Sequence, residues 1–435
     1  MSTDPPAELA APPPPPETSS LGDAAAGPRP RRAAVAFILI TVVLDVLALG
    51  LVIPVLPKLV ESFLGGDTAS AARMFGLFGT IWAAMQFVFS PLLGALSDRF
   101  GRRPVILLSN FGLGIDYILM ALAPTLGWLF VGRVISGIVG ASWTTAAAYL
   151  ADVTRPEERA ASFGKIGAAW GLGFVLGPAL GGVLGGIDPR LPFWAAAALT
   201  LLNAVYGMFV LPESLPRGKR GAFDPRRANP VGSLGLLRRH PGLPGLATAA
   251  YLFWLAHQVL TSVFVLYTGY RYGWSPTTVG LTLAGVGVCS MVVQAGLVRP
   301  LVARFGERRA LLLGLTCGGL GYLTWALAPN GVVFWAAIPV FSLMGLHGPS
   351  MQSLMSRHVG PSEQGRLQGA YASIMGITGM LGPALFTAVF AAFIGPRADL
   401  HLPGAAFLLA SFVMLVALFV AERATRDSRR GPARA

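Results

Sequence analysis

The chain has 435 residues, 54% of them hydrophobic and only 12% charged, about half the charged share of an average soluble domain. This excludes an ordinary soluble fold and puts the chain in a bilayer. Its net charge of +13, from 33 Lys and Arg against 20 Asp and Glu, can mean nucleic acid or membrane topology, depending on where the basic residues lie.

Residues 1 to 32 hold "APPPPPETSS" and few large apolar side chains, so they are expected to form a disordered tail. They lack the basic-then-apolar start of a signal peptide. A hydrocarbon core of about 30 Å needs about 20 apolar residues as helix. Runs of that size at 34–57, 74–97, 104–123, 127–150, 162–186, 192–211, 245–267, 277–299, 308–328, 332–355, 366–394 and 403–421 predict twelve spans. The two cysteines, Cys289 and Cys317, fall inside such runs, which gives neither a disulfide framework nor a thiolate metal site.

A polar, Arg-, Gly- and Pro-rich stretch at 212–244 reads as a linker between two bundles, 33–211 and 245–422, with a basic tail at 423–435. "RFG" at 99 and 304, "ALAP" at 121 and 326 and "LGPAL" at 176 and 381 all repeat at an offset of 205 residues, the sign of an internal duplication. The expected fold is therefore an all-α membrane protein, twelve helices in two pseudo-symmetric six-helix bundles, which is a transporter architecture with its site between the halves. With both termini cytoplasmic, 27 of the 33 Lys and Arg fall on the cytoplasmic side. That positive-inside bias assigns the basic excess to topology and anionic lipid, so nucleic acid is not an expected partner.

Span one carries "TVVLDVLALG", with Asp45 as the one charge between Ala33 and Leu56. A charge at mid-helix costs about 2.5–3.5 kcal/mol on insertion scales. Asp116 in "GIDYILMALAP" and Arg133 in "GRVISGIVGA" carry the same penalty, which marks the three as candidates for proton coupling. Burial raises a carboxylate pKa and a nearby arginine lowers it, so Asp45 or Asp116 can take up and release a proton as the cavity changes sides, with Arg133 stabilising the deprotonated form. The plainer reading is a buried ion pair that fixes helix register.

Between spans two and three, "GALSDRFGRRPV" crowds Asp98, Arg99, Arg102 and Arg103 into a few residues beside Gly94 and Gly101. It is a basic turn, or a latch in which Asp98 pairs with an arginine or a helix N-terminus. In span five, "GLGFVLGPALGGVLGG" sets Gly173, Gly177, Gly181 and Gly185 four apart, a flat ridge for close helix packing, next to Gly182 and to Pro178, which removes one amide donor. Gln86, His257, Gln258, Gln294 and Gln352 are polar residues in spans that could face a substrate cavity, with Tyr251, Phe253, Trp254 and His347 nearby; lone polar groups in spans also serve as interhelix contacts.

These stretches resemble known ones. "GALSDRFGRRPV" resembles the loop motif of the major facilitator superfamily, and "VARFGERRALLLG" at 302–314 its degenerate second copy, with Ala303 in place of the acid. The span-five glycines and "GRVISGIVGA" resemble motifs of its drug:proton antiporters. "TVVLDVLALGLVIPVLPKLV", "QFVFSPLLGALSDRFGRRPVILLS", "GIDYILMAL" and "RYGWSPTTVGLTLAGVGV" resemble the tetracycline:proton antiporters, over about Ala33 to Glu422. That resemblance implies functional roles for Asp45, Gln86, Asp98, Asp116, Arg133 and Gln294. Two departures stand out: Gly318 replaces an acidic residue of the ninth span, and Glu61 replaces a basic residue at the end of span one.

The implied function is proton-coupled efflux of an amphiphilic small molecule, first a tetracycline-type antibiotic, by alternating access across a bacterial cytoplasmic membrane. Another drug or metabolite exporter, or a proton-coupled uptake symporter, is the alternative. The expected partners are the drug, protons and lipids, with no obligate protein partner. No cofactor is implied, although a divalent metal can accompany a tetracycline-like substrate. No metal-ligand cluster, phosphate loop or nucleophile–base set suggests an enzyme.

Overall fold

A computed structural model describes residues 29–140, 143–154, 158–220, 229, 231–240 and 242–427. Eleven helices in it are long and apolar enough to cross a membrane. One of these, Pro276–Leu327, runs for 52 residues, more than twice what a bilayer needs. Gly306 breaks it with φ 77° and ψ 160°, and Gly101 separates spans two and three with φ 109° and ψ 157°. Both glycines adopt a backbone that a Cβ would strain, at the same place in each repeat, so the described chain makes twelve crossings, as the apolar runs predict.

Span one is Arg29–Val52, starting five residues before the expected run 34–57, and it continues after a turn as Leu56–Phe63. Pro54 and Pro57 explain the interruption, since each lacks the amide that a continuous helix would use. Spans two and three are Thr68–Phe100 and Arg102–Leu122. Span four is Leu126–Val139 with Trp143–Val153, and spans five and six are Arg159–Ile187 and Leu191–Val210. In the second half, span seven is Leu243–Ser262 with Phe264–Tyr272, longer than the apolar run suggests. Span eight is Pro276–Val292, continued by a π-turn at Val293–Leu297. Span nine follows Gly306, span ten is built of short pieces ending in His347–Ser356, and spans eleven and twelve are Gln364–Ile394 and Ala405–Asp427. The described part of the linker is not merely polar: Gly232–Arg238 buries Leu236 and Leu237 and lies against span eleven.

The two copies of "LGPAL" form equivalent seams between the halves. Pro178 of span five lies against Gly280 of span eight, where a methyl on Gly182 would come within 2.9 Å of the Gly280 Cα. Pro383 of span eleven lies against span two, 2.9 Å from where a methyl on Gly79 would sit. Two hydroxyls bridge these seams: Thr277 Oγ1 donates to the Gly182 carbonyl at 3.1 Å and Thr80 Oγ1 to the Met380 carbonyl at 2.9 Å.

The seams do not run the full length of the helices. Toward the end that carries the arginine-rich loops, a methyl placed on Gly94, Gly164, Gly167, Gly296 or Gly365 of the same four spans would meet no described atom within 4 Å. The close contacts between the halves at these glycines are thus confined to the far end and are missing at the basic end.

Candidate proton and substrate site

Asp45 is half-buried on span one, and Asn203 of span six donates to its Oδ1 at 3.1 Å. Thr41 Oγ1 in turn donates to Asn203 Oδ1 at 3.2 Å. The span-five ridge seats this segment. A methyl on Gly173 would lie 2.8 Å from Val46 Cβ, and one on Gly177 would lie 2.6 Å from the Gly50 Cα. Gly181 presses on the Leu51 backbone and Gly185 on Val55. The ridge therefore serves span one of its own half, whereas Gly182 and Gly186 on the other face meet span eight. Pro178 faces both, since a methyl on Gly50 would lie 2.9 Å from its Cδ.

Asp116 is 1% exposed, and neither carboxylate oxygen has a hydrogen-bond partner. Gly132 leaves space beside it, because a methyl there would come within 3.1 Å of Asp116 Oδ1. Arg133 is 9% exposed with its guanidinium carbon 5.3 Å from the Trp82 ring centre, an attractive cation–π placement. No ion pair within 4 Å joins it to Asp116 among the described residues, but the two act on each other through space, and Tyr117 is within electrostatic reach of Asp45, Asp116 and Arg133 together. Gly137 packs on span two, where a methyl would come within 2.7 Å of the Trp82 carbonyl oxygen. Ala141, the last member of that fourth-span motif, lies outside the described residues.

The candidate cavity residues divide. Gln86 is half-buried near Gly140 of span four. Gln294, on the π-turn of span eight, and Gln352, on span ten, are exposed; single π-turns often occur at functional positions. Gln258 instead packs between spans seven and eleven against Gly379 and Gly382, with its Oε1 accepting from Thr261 at 3.0 Å. His257 joins an aromatic cluster with Phe253 and Trp254. Gly318 faces two methionines: a methyl there would be 3.1 Å from Met344 Cβ and would press on the terminal methyl of Met414.

The loop motif acts within the first half in this conformation. Asp98, 57% exposed, pairs with Arg102 at 2.6 Å. Arg102 also reaches Asp152 of span four at 3.3 Å and Ser97 at 2.6 Å. Its amide donates to Glu213 at 2.9 Å, and Arg103 donates to the Met208 carbonyl at 2.6 Å. Arg99 packs over Phe100, and Gly94 stands free at the basic end. Glu61, one of the departures, is held locally by Lys58 at 2.7 Å and by Thr68. Among the described residues, no three His, Cys, Asp or Glu side chains are grouped to hold a metal ion.

Residues 38–383 match the family model described as Major Facilitator Superfamily. The chain belongs to that superfamily. It is 41% identical to the tetracycline resistance protein, class C, of Escherichia coli, over 82% of this chain and 89% of that one. It is 39% identical to the class G protein of Vibrio anguillarum, over 82% and 90%. Among solved structures, a bacterial homologue of the human lysosomal transporter Spinster, in an inward-facing and occupied conformation, superposes with a TM-score of 0.73 at 18% identity, covering 92% of this chain and 98% of that one. The superfamily match agrees with the twelve-crossing architecture.

Proposed function

We propose that this superfamily member exports a tetracycline-type amphiphile across the cytoplasmic membrane in exchange for protons. The observation that carries the coupling is Asp116, buried with two unpartnered oxygens beside Arg133. A carboxylate with no donor is costly to keep charged out of water, so a proton is the ligand that completes it. Asp45, already served by Asn203, is the more fixed member of the pair.

The arginine-rich face is cytoplasmic by the positive-inside rule, with both termini on that side, and the halves lack their close glycine contacts there. The drug enters from the cytoplasm between the two halves, past Gln294 and Gln352. Protonation from the outer side then biases the halves toward the alternate closure, since a ligand shifts an equilibrium only by its unequal affinity for the two states. No resident cofactor is needed, and any divalent metal travels with the substrate. The span-nine position that would add a second-half acid is Gly318, set against Met344 and Met414, which concentrates the acidic coupling chemistry in the first half.

The test is a drug-susceptibility panel in a pump-deleted host, with pH-gradient-driven tetracycline uptake in everted vesicles. The intact protein should protect against tetracyclines and take up drug as protons leave. Movement of drug and proton in the same direction would sink the antiport reading.

A further inference from the structure

The second half contains a series of buried polar atoms that the Asp45–Asp116–Arg133 site does not use. His347 is fully buried, and neither ring nitrogen has a partner. Its ring lies flat on Phe253, 3.5 Å between centres with 9° between planes. His257, one turn along span seven, is parallel to the same ring at 6.1 Å, and its Nδ1 is also buried and unpartnered. Trp254 meets His257 edge-on and donates to Tyr371 Oη at 3.0 Å, which fences the pair with rings from spans seven and eleven.

The series continues down span ten. Ser350 Oγ is buried without a partner. Ser353 donates to Glu307 Oε1 at 2.6 Å, while Glu307 Oε2 is again buried and unpartnered. Positions 347, 350 and 353 are three apart on one helix and share a face, covering about 9 Å of rise. The lower members line a cavity of about 410 Å³ between spans eight, nine and ten, which Arg299 and Ala303 border at the basic end. Val298, Val302, Ala303 and Pro349 make most of this groove apolar, and its polar groups, Arg299, Glu307, Ser350 and Ser353, are the partners it offers to water. Polar atoms buried without partners are uncommon in native proteins, and ordered water with two or more such partners commonly bridges them.

We propose that a water-filled path runs from the basic face through Glu307, Ser353 and Ser350 to His347 and His257, giving the second half a proton-binding site of its own. It rests on the antiport reading for its purpose. An imidazole accepts one proton per ring, the water file passes it by exchanging hydrogen bonds, and the face of Phe253 stabilises the resulting cation. The other titratable or charged groups on the elements packed around span ten are Tyr251 of span seven, Cys289, Arg299 and Arg304 of span eight, Arg308, Arg309, Cys317 and Tyr322 of span nine, and Arg366 and Tyr371 of span eleven, with His358 just past span ten itself, while Arg357 holds Glu307 at 2.6 Å. The first-half charges stand in the other bundle.

Two readouts test it, both on the purified full-length protein without drug. With Cys289 and Cys317 replaced by serine and alanine, Ser350→Cys and Ser353→Cys are exposed to Ag⁺, which follows water, and protection from later maleimide labelling is scored; Leu320→Cys, on the outer surface, is the dry control. In parallel, ¹³C-histidine-labelled protein is titrated from about pH 8 to about pH 5, with His347→Gln, or His347→Asn if that variant folds poorly, assigning the signal. We expect both serine-site cysteines to be protected, Leu320→Cys to be unprotected and the His347 ring to titrate reversibly. An unprotected Ser350→Cys overturns the path, and a His347 signal that stays constant overturns the proton site. Because no substrate is involved, either failure leaves the substrate assignment to its own test.

Discussion

The two halves share a fold and a repeat but divide the chemistry between them. Asp116 and Arg133 of the first half correspond, 205 residues on, to Gly321 and Ile338. Met120 corresponds to Trp325, which packs with Tyr322, Phe334, Phe341 and Phe407 in an aromatic core that has no first-half counterpart of similar size among the described residues. The braces at the basic end are inverted in sign. Arg102 pairs with Asp152 in the first half, and their counterparts Glu307 and Arg357 pair in the second. The duplicated backbone is thus kept by opposite means: an ion pair works in either polarity, so only its complementarity is constrained. A core can give up packing for charge on one side if the other side stays apolar and stiff.

The largest expected effect comes from removing the asymmetry at its centre. Asp116→Asn should abolish pH-gradient-driven drug uptake in vesicles and reduce protection to that of the empty host, whereas Asp45→Asn, which keeps an acceptor for Asn203, should retain part of both. Equal loss in the two variants would break the distinction drawn between them. Next in size, Trp325→Ala should destabilise by about 3–5 kcal/mol and Met120→Ala by about 2–5 kcal/mol, read as thermal unfolding in detergent. A larger loss at Met120 would reverse the assignment of the stiffer half.

The inverted braces give a smaller effect. Arg102→Glu or Asp152→Arg alone should cost on the order of 1 kcal/mol, since both partners are partly solvated. Combining them should restore stability, with the first half then carrying the second half's polarity. Failure of the double variant to recover would show that Asp98, Ser97 and Glu213 fix the arginine independently of Asp152. The smallest effect belongs to Asp67, which caps span two by accepting from the Ala69 and Ser70 amides. Its hydrogen bonds to Ser70 hold its carboxyl below the usual value of 3.8. A lowered folded value means the contribution is complete above 3.8 and is lost as pH falls through the lowered value. Asp67→Ala should therefore show a slightly lower melting temperature near neutrality, and the gap to the parent should close under strong acid.

The twelve spans are legible in the sequence because bilayer thickness dictates run length, and the duplication is legible because three motifs keep one offset. The carboxylates at Asp45 and Asp116 are legible because charge in lipid has an energetic cost. What pairs with them is not: Asn203 is 158 residues from Asp45, and an amide in an apolar helix announces no partner. The same holds for Glu213, whose contact with Arg102 spans 111 residues. The glycine ridge is visible as a four-residue spacing, but adjacent glycines 181 and 182 face different neighbours, and only the three-dimensional arrangement reveals that the ridge grips span one. Gln258 looks like a cavity residue by composition, and its burial against Gly382 depends on a glycine 124 positions away.

The far-end closure bears on how the bundles part. Along its seams, main chain presses on main chain at Gly182, Gly280, Gly76 and Pro383, with Thr80 and Thr277 supplying the hydroxyl bridges. Surfaces of this sort separate without stranding ions, although Phe87 against Gly376 and Val175 against Gly287 still interlock. Parting the bundles there breaks no ion pair among these contacts, only the two hydroxyl bridges and the close backbone packing.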